Sequence, residues 1–147
     1  MKGERGYSLL EILIATAITG FLITALGLGI RQVLAVPERG NDQVTALHAL
    51  QNTAHWVSRD GQTAKTASGG SGLTLTLPDD SSISYTLSGD ELHRVSGGTD
   101  RIIAQSITDI NFTINGRVIN MSIVAAPEGR FGVSENLTCQ VCMRPTE

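Results

Sequence analysis

At 147 residues the chain fits one small domain and a single membrane helix. Hydrophobic residues make up 41% and aromatics only 4%, which suits a modest core. A formal net charge of −3 offers no basic surplus of the kind that nucleic-acid binding draws on.

The first six residues form a short charged leader with Lys2, Glu4 and Arg5. Ile12 to Ile30 then run for nineteen residues without a formal charge, and Arg31 closes the run. At ~1.5 Å per residue such a helix spans roughly 28 Å, close to the ~30 Å hydrocarbon core of a bilayer. A secretory signal peptide would have a shorter apolar region followed by a small-residue cleavage site. Lys2 and Arg5 favour a cytoplasmic amino terminus, which places everything after Arg31 outside the cytoplasm. Glu11 is the anomaly: a carboxylate carried to the bilayer centre costs up to ~2.5–3.5 kcal/mol, so the reading assigns it a partner. Thr16, Gly20 and Thr24 recur every four residues, and Ala25 and Gly29 form a second small pair. Small residues at this spacing let helices approach closely in lipid.

Pro37 and Gly40 predict a kink or short break between Val36 and Asn41, with Asn41 or Asp42 capping a second helical stretch. Val44, Leu47, Leu50, Ala54 and Val57 supply its apolar face. Gly61 is its expected stop, just after Arg59 in the last turn. Trp56, the single tryptophan, is expected to anchor the helix on a sheet. His48 and His55 stand two turns apart, ~10 Å along a helix. That is too far to share one ion, so they read as surface residues.

From Thr63 to Gly72 the Ser, Thr, Ala and Gly content reads as a loop. The period then changes to two. Leu73, Leu75 and Leu77 lead to the turn Pro78-Asp79-Asp80-Ser81, and Ile83, Tyr85 and Leu87 lead to Ser88-Gly89-Asp90. Glu91 to Val95 runs back to the turn Ser96-Gly97-Gly98-Thr99. Ile110 to Ile114 meets Asn115-Gly116, the preferred pair for a type I′ turn, and Arg117 to Val124 returns. A loop centred on Asn115-Gly116 pairs Phe112 with Ile119 and Ile110 with Met121, with the apolar residues on one face.

Cys139 and Cys142 form a lone C-x-x-C. The strand-to-helix setting of a redox motif and the second ligand pair of a zinc site are both missing. Leu137 to Cys142 reads as a final strand that aims the two sulfurs at opposite faces, and the cysteines read as structural. Asp79-Asp80 reads as a solvated turn, and Gly69-Gly70-Ser71-Gly72 as a loop without a phosphate-binding setting. The tripeptides beginning at Asn111, Asn120 and Asn136 match a glycosylation acceptor but read as incidental. No catalytic constellation, metal site or cofactor is expected.

Gly6-Tyr7-Ser8-Leu9-Leu10-Glu11 and the apolar run behind it resemble the class III signal of type IV pilins and pseudopilins, with Tyr7 where Phe is commoner. The resemblance implies cleavage after Gly6 by prepilin peptidase and N-methylation of Tyr7. It also implies that Glu11 neutralises that amine during assembly. The mature form would carry nine basic and thirteen acidic side chains, −4, after losing Lys2, Glu4 and Arg5 from totals of 11 and 14. Several further segments are similar to minor pseudopilins of the J type and to related minor pilins. They are Ala49 to Ala64 with Ser58-Arg59-Asp60, Ile83 to Leu87, Leu92-His93-Arg94, Ile107 to Val124, and Leu137 to Arg144.

The expected architecture is α+β and pilin-like, a long N-terminal helix on an antiparallel sheet. Residues 1–6 are the leader, 7–36 the transmembrane and filament-core helix, 37–61 its amphipathic second half, and 62–147 the sheet region. The expected protein is a structural minor pseudopilin of a type II secretion-like system. It would be single-pass in the inner membrane and would join a filament. Its partners would be other pilins or pseudopilins, prepilin peptidase, the inner-membrane assembly platform and lipid, with no nucleic acid. The alternatives are a tip or priming subunit of a type IV pilus, including a DNA-uptake pilus, and a membrane-anchored redox protein or hydrolase relying on Cys139 and Cys142.

Overall fold

A computed structural model describes residues 8–129 and 131–145. One helix, α1 (Leu9–Thr63), is followed by eight strands: β1 (Thr66–Ser68), β2 (Gly72–Thr76), β3 (Ser82–Ser88), β4 (Glu91–Ser96), β5 (Thr99–Ala104), β6 (Ile107–Asn115), β7 (Val118–Ala125) and β8 (Glu135–Cys142). This is the α+β, pilin-like arrangement expected. The chain divides into two compact units between Glu38 and Arg39.

The first unit is helical throughout its described length after Ser8. Of the kink or short break expected between Val36 and Asn41, the break is not formed: helical backbone continues through Pro37, Gly40 and Asn41. Neither Asn41 nor Asp42 therefore starts a helix. Proline costs a helix interior one hydrogen bond and about 3 kcal/mol, which the turns on either side here tolerate without losing helical backbone.

In the second unit, every strand pairs antiparallel with its neighbours. β1 to β5 form a five-stranded meander in sequence order, and β6 to β8 form a three-stranded sheet. The two sheets join where Gly70 and Phe112 exchange backbone hydrogen bonds of 2.9 Å in both directions. The segment from Thr63 to Gly72, expected as loop, thus holds β1 and this bridge. β5 carries no clear alternation, because Asp100 and Arg101 interrupt it, and the sequence reading placed no strand there.

One core spans both sheets and the second half of α1. Leu73 and Leu75 of β2, Ile83 and Tyr85 of β3, and Leu92 of β4 are buried at alternate positions, as are Ile119, Met121 and Ile123 of β7. The helix buries Ala46, Ala49, Leu50, Thr53, Val57 and Asp60, a run at three- and four-residue steps. Of the expected face, Leu50 and Val57 are inside and Ala54 packs at its edge, but Val44 is 49% and Leu47 39% exposed. The helix turns its small residues inward because these let it lie closer to the sheets.

Gly61 belongs to that close approach. It lies within the helix, which continues to Thr63, and not at a C-terminal stop. A β-carbon there would sit 2.8 Å from Val141 Cγ1 and 3.2 Å from Ile119 Cδ1.

The β6–β7 hairpin corrects a register. Asn115 pairs with Val118, so the loop is Gly116-Arg117, one residue later than expected. Only Gly116 of the two has positive φ, +61°, as a type II′ turn requires of its first central residue. Phe112 therefore faces Met121 and Ile110 faces Ile123. Because the pairing moved by two residues, every side chain kept its face.

Candidate assembly segment and buried polar cluster

Of the site residues expected from sequence, Glu11, Thr16, Gly20 and Thr24 lie on the helix of the first unit. Gly6 and Tyr7 lie outside the described residues. Ser8 occupies the N-cap: its carbonyl accepts the amides of Glu11 at 3.0 Å and Ile12 at 3.2 Å. Glu11 stands in the first turn, where the partial positive charge of the helix start favours a carboxylate. Ser8-Leu9-Leu10-Glu11 also has the spacing of a capping box, a local role for Glu11 that the sequence reading passed over.

From Ser8 to Arg31 every side chain is exposed. Leu9 is 82%, Phe21 74% and Leu26 66% exposed. Leu9–Arg31 is long and apolar enough to cross a membrane. A helix apolar all round has no stable place in water alone, so it calls for lipid or other helices. Its threonine hydroxyls are already satisfied within it. The hydroxyls of Thr16, Thr19 and Thr24 donate to the carbonyls of Leu13, Ala15 and Gly20 at 2.9, 2.7 and 2.9 Å. Thr16 and Gly20 line a shallow groove with Ala15, Thr19 and Glu11; Thr24 is not among its lining. Ala25 and Gly29 line a second groove with Leu26, Ile30 and Val33.

The second unit holds a cluster that sequence reasoning did not assemble. Asp60, in the last turns of α1, is 5% exposed. Its Oδ2 accepts the Tyr85 hydroxyl at 2.5 Å and Arg94 Nε at 2.6 Å. Tyr85 and Arg94 sit directly opposite each other on β3 and β4, and the Arg94 guanidinium lies 4.8 Å from the Trp56 ring centre. Arg59 approaches the same ring at 5.4 Å. Burial, reinforced by the Asp60 carboxylate, pushes the Tyr85 hydroxyl well above the ordinary tyrosine range. The bond to Asp60 raises Arg94. The available signal was an Asp at the buried period of an amphipathic helix, which cannot be left without partners.

The remaining candidates stay apart. Cys139 and Cys142 are free and lie in β8, the first half-buried and the second exposed. Burial pushes the Cys139 thiol up, away from the reactive thiolate. His48 and His55 are exposed. His93, unremarked in sequence, has Nδ1 3.1 Å from Asp100 and Nε2 3.7 Å from Glu91. No group among the described residues gathers three potential metal ligands. Asp79 closes its own turn: Oδ1 accepts the Ser81 amide at 3.1 Å and hydroxyl at 2.6 Å, which lowers its pKa. Asn111, Asn120 and Asn136 lie within β6, β7 and β8.

Residues 1–27 match the family described as the prokaryotic N-terminal methylation motif. No curated protein and no solved structure matches the chain. The chain thus carries the prepilin-type signal of type IV pilin-like precursors, the signal that prepilin peptidase processes. That signal leads into an exposed apolar helix, and the architecture beyond it is pilin-like.

Proposed function

We propose that the protein is a minor pseudopilin of a type II secretion-like system, a structural subunit and not an enzyme. The observation that supports this reading is the methylation motif at residues 1–27 leading directly into a helix exposed on all sides. In the proposed sequence of events the precursor inserts once into the inner membrane, with Lys2 and Arg5 holding its amino terminus in the cytoplasm. Prepilin peptidase cuts after Gly6 and methylates Tyr7. The assembly platform then draws the subunit into a short filament with other pilin-like chains, where Thr16, Gly20 and Thr24 let helices approach closely. Glu11 pairs with an amino-terminal amine, its own or that of a neighbouring subunit, because a desolvated carboxylate needs a cation. A minor subunit of a type IV pilus shares every step up to assembly.

Intact mass of the mature protein tests the processing, with a chain beginning at N-methylated Tyr7 expected and an uncleaved Met1 terminus refuting it. Gly6→Val blocks cleavage and leaves insertion intact. Glu11→Gln retains the helix-capping oxygen and removes the charge. Normal protein levels and normal cleavage with failed incorporation support the charge pairing, whereas full incorporation assigns Glu11 to capping. Deleting the gene separates the two machines: loss of protein secretion with pili intact supports the pseudopilus, and the reverse supports the pilus.

A further inference from the structure

We propose that Asp60, Tyr85 and Arg94 form a register clamp that sets the axial and rotational position of the last turns of α1 on the five-stranded sheet. The packing beneath that helix does only part of the task. Its buried positions mix the small residues Ala46, Ala49, Thr53 and Gly61 with Leu50 and Val57. A slide of one turn, ~5.4 Å, that brings Val57 to the Gly61 position meets Val141 and Ile119, so packing checks the slide at that one point. Elsewhere along the face apolar burial has no direction of its own and separates such registers weakly.

The polar cluster has direction. A single carboxylate oxygen receives Tyr85 at 2.5 Å and Arg94 at 2.6 Å from two adjacent strands. Trp56, four residues before Asp60 and so on the same helical face, covers the Arg94 guanidinium at 4.8 Å. The helix thus holds Arg94 at two points one turn apart. Any slide or rotation leaves the Tyr85 hydroxyl, on a residue with no exposed surface, without an acceptor. The sequence Trp56-Val57-Ser58-Arg59-Asp60 and the cross-strand pair Tyr85–Arg94 act together as one locating device, distinct from their contribution to stability.

The test counts conformations. The protein has one tryptophan, so the full chain in detergent micelles, labelled with ¹⁵N, gives one indole N–H cross-peak for each environment of Trp56. The parent is expected to give one. Asp60→Leu with Arg94→Met replaces the polar pair by apolar side chains. It is expected to keep a cooperative thermal transition while the indole signal splits into two or more peaks or broadens from exchange among them. A single sharp peak in a cooperatively folded double variant overturns the proposal and leaves the cluster as ordinary stabilisation. Should the double variant fail to fold, Asp60→Asn decides by the same count, several peaks supporting the clamp and one overturning it.

Discussion

Gly61→Val tests most directly the claim that Gly61 is there for proximity. A β-carbon at this position lies 2.8 Å from Val141 Cγ1 and 3.2 Å from Ile119 Cδ1, and Val141 and Ile119 are 4% and 0% exposed. Replacing Gly in a helix interior recovers part of its ~1 kcal/mol propensity deficit, less for Val than for Ala. Overpacking a close-packed core costs about 1–3 kcal/mol, and valine adds two further methyl groups to the crowded β-carbon. The expected net loss is about 2 kcal/mol, a Tm drop of about 8–16 °C for a domain of this size. Thermal melts of the full chain in micelles, followed by Trp56 fluorescence and far-UV circular dichroism, measure it. Val141→Ala makes room on the opposite side, so the double variant is expected to lose at least 1 kcal/mol less than the sum of the two singles. Strictly additive losses, or a Gly61→Val variant as stable as the parent, would refute the close approach.

Tyr85 predicts an alkaline limit. Its pKa is raised in the folded state, so its stabilisation is complete below the unfolded value of about 10 and is lost as pH rises above it. Melts across that range are expected to show falling Tm, with a shallower fall in Tyr85→Phe; equal slopes would remove the buried hydroxyl as the cause. Residues Asn41 to Glu147 are expected to fold as a soluble monomer with a cooperative transition, because the compact unit begins at Arg39 and its core draws on both sheets and the helix. An aggregated or disordered product would count against an independent domain. Iodoacetamide is expected to modify exposed Cys142 quickly and half-buried Cys139 slowly, as read by peptide mass, and equal rates would contradict the burial of Cys139.

Much of the candidate assembly segment was legible in the chain because its determinants are local. A run of nineteen uncharged residues is long and apolar enough to cross a membrane, and the leader motif ahead of it is contiguous. Strand alternation was likewise readable at Leu73 and Leu75, at Ile83 and Tyr85, and from Ile110 to Ile123. Parity survives small errors: the β6–β7 loop moved by one residue to Gly116-Arg117, yet Phe112 and Met121 remained inside.

What the chain alone could not decide was every choice made by a distant partner. Val44 and Leu47 are as apolar as Leu50 and Val57, but the helix turned Ala46 and Ala49 to the core instead, and Gly61 allowed a closer fit against Val141 and Ile119. Gly61 has the local signature of a helix stop, and only that contact shows it to be helix interior. β5 lacks an alternating pattern and is held by its pairing with β4. Asp60, Tyr85 and Arg94 are 25 and 34 residues apart in the chain, counted from Asp60, so no window of sequence contains their hydrogen bonds. Composition and periodicity determined which segments are apolar enough to cross a membrane, and which coil or pleat, since those depend on neighbours a few residues away. Tertiary packing alone determined which face is buried, where the helix stops and which charges meet, since those depend on residues brought together by folding.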